Sequence, residues 1–316
     1  MGNEGKTGPL QRLVGKGSHL EGAYVTLDQL LALRFLPAPV QLRSKNARIV
    51  GHRAGSKLST LKGRGVDLAE VRAYQPGDDI RSIDWRVTAR MNKPHTKIFR
   101  EERERPTLIV VDQTQNMFFG SKVRLKSVAV ADFATRIAWQ TLAASDRVGG
   151  LVVGNEEARL HKPYRTTKAV ARLLNDIADL NQSLSRETNS EITLHDAMLR
   201  VRRLARSNYR VFVISDFAGS LDGWADHLQQ LAKHNQVTAV HVFDPMELEL
   251  PASDHYLVTD GSERLQFYTG DQSLRSRYRE QFEKRAALLT QACQHDSMRY
   301  LSMSTDRTEI DSVQWL

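Results

Sequence analysis

TLIVVDQTQNMFFG, residues 107–120, is a short apolar run that breaks off into Asp112, Gln113, Thr114, Gln115 and Asn116. Its length suits a buried strand, and the residues after it present an acid, a hydroxyl and an amide at alternate positions. Two explanations fit that spacing: a turn that caps the following helix, or oxygens arranged around a hard metal ion.

The same alternation recurs down the chain. Strands are predicted at 107–112, 147–153, 209–216, 237–243, 255–259 and 298–302, and helices at 122–143, 167–180, 194–206, 221–234 and 271–294, with a short last helix starting near Asp306. This rhythm builds a parallel sheet covered on both faces, and right-handed crossovers make it doubly wound. The expected class is α/β with a mostly parallel sheet. In such sheets ligands collect beyond the carboxyl ends of the strands, where the strand order reverses. Two strands end there in acids, VVD at Asp112 and VISD at Asp216, and Thr193 in ITLHDAML sits just ahead of a helix. Oxygens from three loops without His or Cys suit Mg²⁺ or Mn²⁺ and disfavour softer metals.

Before Pro106 the pattern changes. A helix is expected over 26–36, stopped by Pro37 and Pro39, followed by a Gly- and Lys-rich stretch at 51–65 that reads as a mobile connection or an exposed loop. Residues 66–74 read as extended and PGDD as a turn. Asp78 or Asp79 then caps a helix through residue 90 in which Ile80, Ile83 and Val87 share a face, and a strand over 95–101 leads back. The expected division is 1–105, a basic segment with a small, partly β subdomain, and 106–316, the sheet domain.

Charge follows this division. Residues 1–106 hold 20 Lys and Arg against 11 Asp and Glu, so the whole basic excess lies there. That asymmetry points to an acidic partner or to a solvated basic surface. The single cysteine, Cys293, excludes an intramolecular disulfide and a cysteine-rich zinc site. No apolar stretch approaches the ~20 residues of a membrane span, and no secretory signal opens the chain, so the cytoplasm is the expected location.

The strand, the D-x-[ST]-x-[SN] loop, the later Thr and the later SD resemble the metal-ion-dependent adhesion site of a von Willebrand factor A domain. The resemblance implies Asp112, Thr114, Asn116, Thr193 and Asp216 as ligands, with an open position for a partner's carboxylate. Two departures stand out: Asn116 replaces a hydroxyl, and the SEIT loop lacks the usual glycines before Thr193.

GRGVDLAEVRAYQPGDDIRSIDWRVTAR, residues 63–90, resembles the hallmark of a bacterial family catalogued as domain of unknown function 58, in which this segment precedes a von Willebrand A-like domain. The match runs through Gly63, Gly65, Arg72, Tyr74, Pro76, Gly77, Asp78, Asp79, Arg81, Ile83, Asp84, Trp85 and Arg90. In physical terms Pro76 and Gly77 favour a tight turn, the arginines and aspartates are placed for charge-assisted pairs, and Trp85 offers a large surface. The segment is either a clamp on the fold or a docking surface. The family resemblance further implies an adaptor that works beside a MoxR-type AAA+ ATPase in assembling or activating other protein complexes.

No catalytic signature emerges. GNEGKTG misses the spacing of a phosphate-binding loop, and neither a G-x-S-x-G elbow nor an H-E-x-x-H pair is present. Asp244, Asp254 and Asp260 read as solvated turns rather than a nuclease centre. The expectation is a non-enzymatic interaction module. Binding of nucleic acid or another polyanion through the basic third is the alternative, and a Mn²⁺-dependent phosphohydrolase is a distant third.

Overall fold

A computed structural model describes residues 19–35, 66–101, 105–185, 194–218, 221–252, 255–259 and 264–306. The chain forms two compact units, Met1–Arg43 with Arg105–Leu316, and Ser44–Glu104. Helix α1 (Leu27–Ala32) is capped by Thr26, whose side chain accepts from Gln29 N–H. It belongs to the larger unit rather than with the family segment, because Val25, Leu30 and Leu33 are buried in the core of the sheet domain.

In the smaller unit, β1 (Val66–Ala73) pairs antiparallel with β2 (His95–Glu101). Between them the expected continuous helix is two pieces: a 3₁₀ turn, Ile80–Ser82, and α2 (Trp85–Met91). The break falls at Ile83, which bridges to Thr96, while Asp84 N–H donates to His95 C=O at 2.8 Å. Pairing with β2 thus overrides the helical periodicity. Ile80 does not join Ile83 and Val87 on a packed face, since it is 65% exposed.

The larger unit is built on β3 (Thr107–Asp112), β4 (Val148–Val153), β5 (Ala158–Tyr164), β6 (Arg210–Ser215) and β7 (Gln236–Phe243). Helices α3 (Lys126–Ala143), α4 (Thr167–Gln182), α5 (Leu194–Leu204), α6 (Leu221–Ala232) and the short α7 (Pro245–Leu248) connect or follow them. The hairpin β8 (His255–Thr259) and β9 (Arg264–Tyr268), then α8 (Gln272–Ala292) and β10 (Met298–Ser304), complete it. The six-stranded sheet has the order β10-β7-β6-β3-β4-β5, and only the β4–β5 pair is antiparallel.

Side chains alternate across this sheet, as strand geometry requires. Ile109, Val111, Phe212 and Ile214 face a core shared with α3, α4 and α1; Leu108, Val110, Val211 and Val213 face a second core with α5, α6 and α8. Helix α3 is buried along nearly its whole length. The sheet lies on one side and the segment from Leu20 to Leu33 on the other, tied by Trp139 Nε1–H to Leu30 C=O at 3.2 Å and Val25 N–H to Asn181 Oδ1 at 2.8 Å.

Other departures from the sequence reading are local. Helix α3 starts at Lys126 rather than 122 because Gly22 N–H donates to Val123 C=O and Leu125 N–H to Gly22 C=O, holding residues 123–125 extended. Strand β5 was not expected: its sequence, ARLHKPY, is polar and carries Pro163, which an edge strand tolerates. Strand β9 was likewise missed. The helix expected from Asp306 falls outside the described residues, as do Gly63 and Gly65. Among the described residues no helix is long and apolar enough to cross a membrane.

Candidate functional site

Strand β3 lies between β4 and β6; the chain steps from it to β4 and β5 on one side and then crosses back to β6 on the other, so its carboxyl end is the switch point of the sheet. The register Val111↔Ile214 brings the ends of β3 and β6 side by side. Asp112 is buried there with both oxygens engaged. Its Oδ1 accepts from Thr114 N–H at 3.0 Å and Thr114 Oγ1–H at 2.7 Å, and its Oδ2 accepts from Ser215 Oγ–H at 2.7 Å. The turn after β3 is thereby closed by the acid that precedes it.

Asp216 is buried beside this turn and binds a cation from the protein itself. Lys126 Nζ donates to Asp216 Oδ2 at 2.7 Å and to Glu247 Oε1 at 2.7 Å, and sits 5.8 Å from the Phe119 ring centroid. Lys126 is only 2% exposed. It occupies the first turn of α3, where the helix dipole disfavours a cation, so the two carboxylates must hold it. Burial would push its ammonium down, but Asp216 and Glu247 outweigh burial and carry it above the ordinary lysine value, so it stays charged.

The two aspartates respond differently. Burial pushes the Asp112 carboxyl up to about 6, and the Asp216 charge adds to the rise. Burial acts upward on Asp216 as well, but Lys126 and the Ala218 N–H prevail and hold it below the usual carboxylate range. His241 on β7 is driven by burial down to about 4, so it is neutral, with Nδ1 2.8 Å from Tyr300 Oη. Asp216, His241, Glu247, Tyr278, Phe282 and Arg285 line a cavity of about 110 Å³ at this edge.

Of the five residues implied as metal ligands, the structure brings Asp112, Thr114 and Asp216 to one edge. Asn116 lies on the exposed side of a 3₁₀ turn, Gln115–Met117, and Thr193 is outside the described residues. No group of three or more acidic, His or Cys side chains among the described residues is arranged to hold a metal ion. With an ammonium seated on Asp216 and both Asp112 oxygens already engaged, this arrangement does not fit a divalent ion.

The sequence reading missed Lys126, Ser215 and Glu247, and it misjudged Asp244. Far from being solvated, Asp244 is fully buried at the end of β7, caps α7 and accepts from Ser121 N–H at 2.9 Å and Thr305 Oγ1–H at 2.7 Å. Asp254 and Asp260 lie outside the described residues. The capping box DPME around Asp244 was a legible signal; nothing in GSKVRLKS distinguishes Lys126.

In the smaller unit the family segment organises itself through its acids. Arg72 Nη2 meets Asp78 Oδ1 at 2.7 Å, and Asp78 Oδ2 accepts from Gln75 N–H at 2.9 Å across a turn in which Gly77 has φ +106°. Side chains other than glycine rarely adopt that conformation. The Gln75 bond and then Arg72 hold Asp78 below the usual carboxylate range. Tyr74 N–H donates to Pro94 C=O at 2.8 Å. Asp79 caps the 3₁₀ turn through Arg81 N–H, and Asp84 caps α2 through Arg86 and Val87 N–H, with Lys97 Nζ 3.5 Å away. Asp78, Asp79 and Asp84 are thus engaged internally, whereas Arg81, Arg86 and Arg90 are exposed and make no side-chain bond among the described residues. Trp85 beside them is 68% exposed.

The doubly wound sheet, its antiparallel edge strand and the acids at its switch point define an α/β protein of von Willebrand factor A type. Residues 70–287 match the family model described as protein of unknown function DUF58, and the chain belongs to that family. An uncharacterized protein of Mycobacterium tuberculosis is 30% identical over 255 residues, covering 80% of this chain and 79% of its own length. Among solved structures, BatB from Bacteroides thetaiotaomicron matches at 14% identity and TM-score 0.37, covering 63% of this chain and 90% of its own. The SpRpn10 VWA domain matches at 13% identity and TM-score 0.35, covering 64% and 88%. Likenesses that distant add nothing to the fold, which stands on the strand order.

Proposed function

We propose that this chain is a non-enzymatic protein-interaction module of the cytoplasm that binds an acidic surface of a partner protein through the DUF58 segment of its smaller unit. The observation that supports this reading is the exposed face of α2. Trp85 with Ala89 and Arg86 with Arg90 are i,i+4 pairs on one side of the helix, and Ile80 and Arg81 precede them in the exposed turn. Tryptophan and arginine are the side chains that most often dominate protein interfaces. Three guanidinium groups without side-chain partners among the described residues call for an acidic counterpart. By family resemblance the partner is a MoxR-type AAA+ ATPase, and the role is that of an adaptor in assembling or activating a further complex.

The test is binding of the full chain to the purified MoxR-type ATPase from the same cell, with Trp85→Ala and the double variant Arg86→Ala/Arg90→Ala. Each should weaken capture by about tenfold or more, equivalent to about 1.4 kcal/mol, while leaving the thermal midpoint unchanged. Undiminished capture by both variants, or none by the wild type, would count against this reading. Because free arginines also suit a polyanion, a labelled oligonucleotide belongs in the same assay. Affinity for it that falls steeply with salt and is lost in the same variants would favour the nucleic-acid alternative.

A further inference from the structure

We infer that the ammonium of Lys126 is the resident cation of the acidic sheet edge, so that this von Willebrand A-type site takes no divalent metal. The inference is independent of which partner the smaller unit binds. Four observations carry it. Lys126 Nζ is within 2.7 Å of one oxygen each of Asp216 and Glu247, which come from the end of β6 and from α7. The side chains of Lys126 and Asp216 are 3% and 6% exposed and that of Glu247 is 24% exposed, so the pair with Asp216 is the desolvated part of the contact. Asp112, the neighbouring acid, already accepts three hydrogen bonds, two on Oδ1 from Thr114 and one on Oδ2 from Ser215, so neither oxygen is free of a hydrogen bond. Asn116, one of the oxygen donors that an ion would need, is exposed on its turn.

Physically the replacement is coherent. A lone ammonium brings one positive charge, three donors and a single long tether, and it is held by two carboxylates at ordinary hydrogen-bond length. Mg²⁺ requires six oxygens near 2.0–2.1 Å in octahedral array. An ion coordinated by Asp216 would have to expel the ammonium from a buried position or share the carboxylate with it. Either step leaves an unpaired buried charge or sets two cations against each other. The covalently attached cation also makes the edge insensitive to the supply of metal.

The experiment uses the full chain. Mn²⁺ is titrated calorimetrically into wild type, Lys126→Met and Asp216→Asn, and thermal midpoints are recorded in Mn²⁺, in Mg²⁺ and in EDTA. The wild type should bind no Mn²⁺ saturably, and its midpoint should be the same in all three conditions. Lys126→Met should melt well below the wild type in EDTA, and Mn²⁺ should recover part of the loss, because the vacated carboxylates then accept the ion. Saturable Mn²⁺ binding to the wild type that Asp216→Asn abolishes would overturn the inference, as would a Lys126→Met midpoint equal to that of the wild type. Should Lys126→Met fail to fold, the wild-type titration decides alone, since a purely structural lysine would leave a live metal site beside it detectable.

Discussion

Lys126 and Asp216 form a buried ion pair, Nζ to Oδ2 at 2.7 Å, between residues 90 positions apart in the chain. Removing one member of such a pair leaves the other charged and desolvated, which costs about 3–5 kcal/mol, whereas removing both costs less. Lys126→Met and Asp216→Asn should therefore each lower the urea midpoint strongly, and the double variant should lose less than the sum of the singles. A double-mutant cycle checks this; strict additivity would show that the two groups do not interact.

Asp112 makes stability fall as pH rises through the mildly acidic range. Its folded carboxyl titrates at about 6, above the ordinary value of 3.8, so between these values the folded chain holds a proton that the unfolded chain has released. Stability from this group is present below pH 4 and is lost as pH climbs through 6, with a slope of at most about 1.4 kcal/mol per pH unit. Asp112→Asn should flatten that part of the profile. Denaturant unfolding of both proteins at pH 4.5 and pH 7 reads the difference, and an unchanged profile in the variant would assign the slope to other groups.

Asp132 holds two buried arginines at once. Its Oδ2 meets Arg124 Nη1 at 2.8 Å and its Oδ1 meets Arg136 Nε at 2.6 Å, and Leu20 N–H donates to it at 3.3 Å. Asp132→Asn removes the carboxylate charge that these two buried guanidinium groups share. The expected cost is about 3–5 kcal/mol, with loosening of the segment around Leu20. Chemical denaturation gives the cost, and protection of the Leu20 amide in hydrogen exchange gives the loosening.

In the smaller unit Asp84 and Arg81 should part company. Asp84 accepts from two backbone donors at the start of α2, so Asp84→Ala should speed amide exchange over residues 85–91. Arg81 is exposed and its side chain bonds to none of the described residues, so Arg81→Ala should stay within about 0.5 kcal/mol of wild type. Loss of folding in Arg81→Ala would show that the family segment clamps the fold rather than presenting a surface.

Much of this molecule is written in local pattern. The runs LIVV and VFVI, the amphipathic helices and the acids that end two strands announced a doubly wound sheet with Asp112 and Asp216 at one edge, and strand pairing put them there. Pattern failed where a residue's neighbours come from elsewhere: the polar edge strand β5, the helix broken at Ile83 by β2, and Asp244, drawn into the interior by Ser121 and Thr305.

The amino-acid order alone determined the class of fold and the family, because hydrophobic period and turn residues act within a few positions of themselves. Only the tertiary structure decided what cation the acidic edge holds. A lysine in the first turn of a helix looks solvated until the folded chain brings Asp216 and Glu247 to it, 90 and 121 residues away. Desolvation together with those two carboxylates, rather than its sequence neighbours, makes Lys126 part of the site.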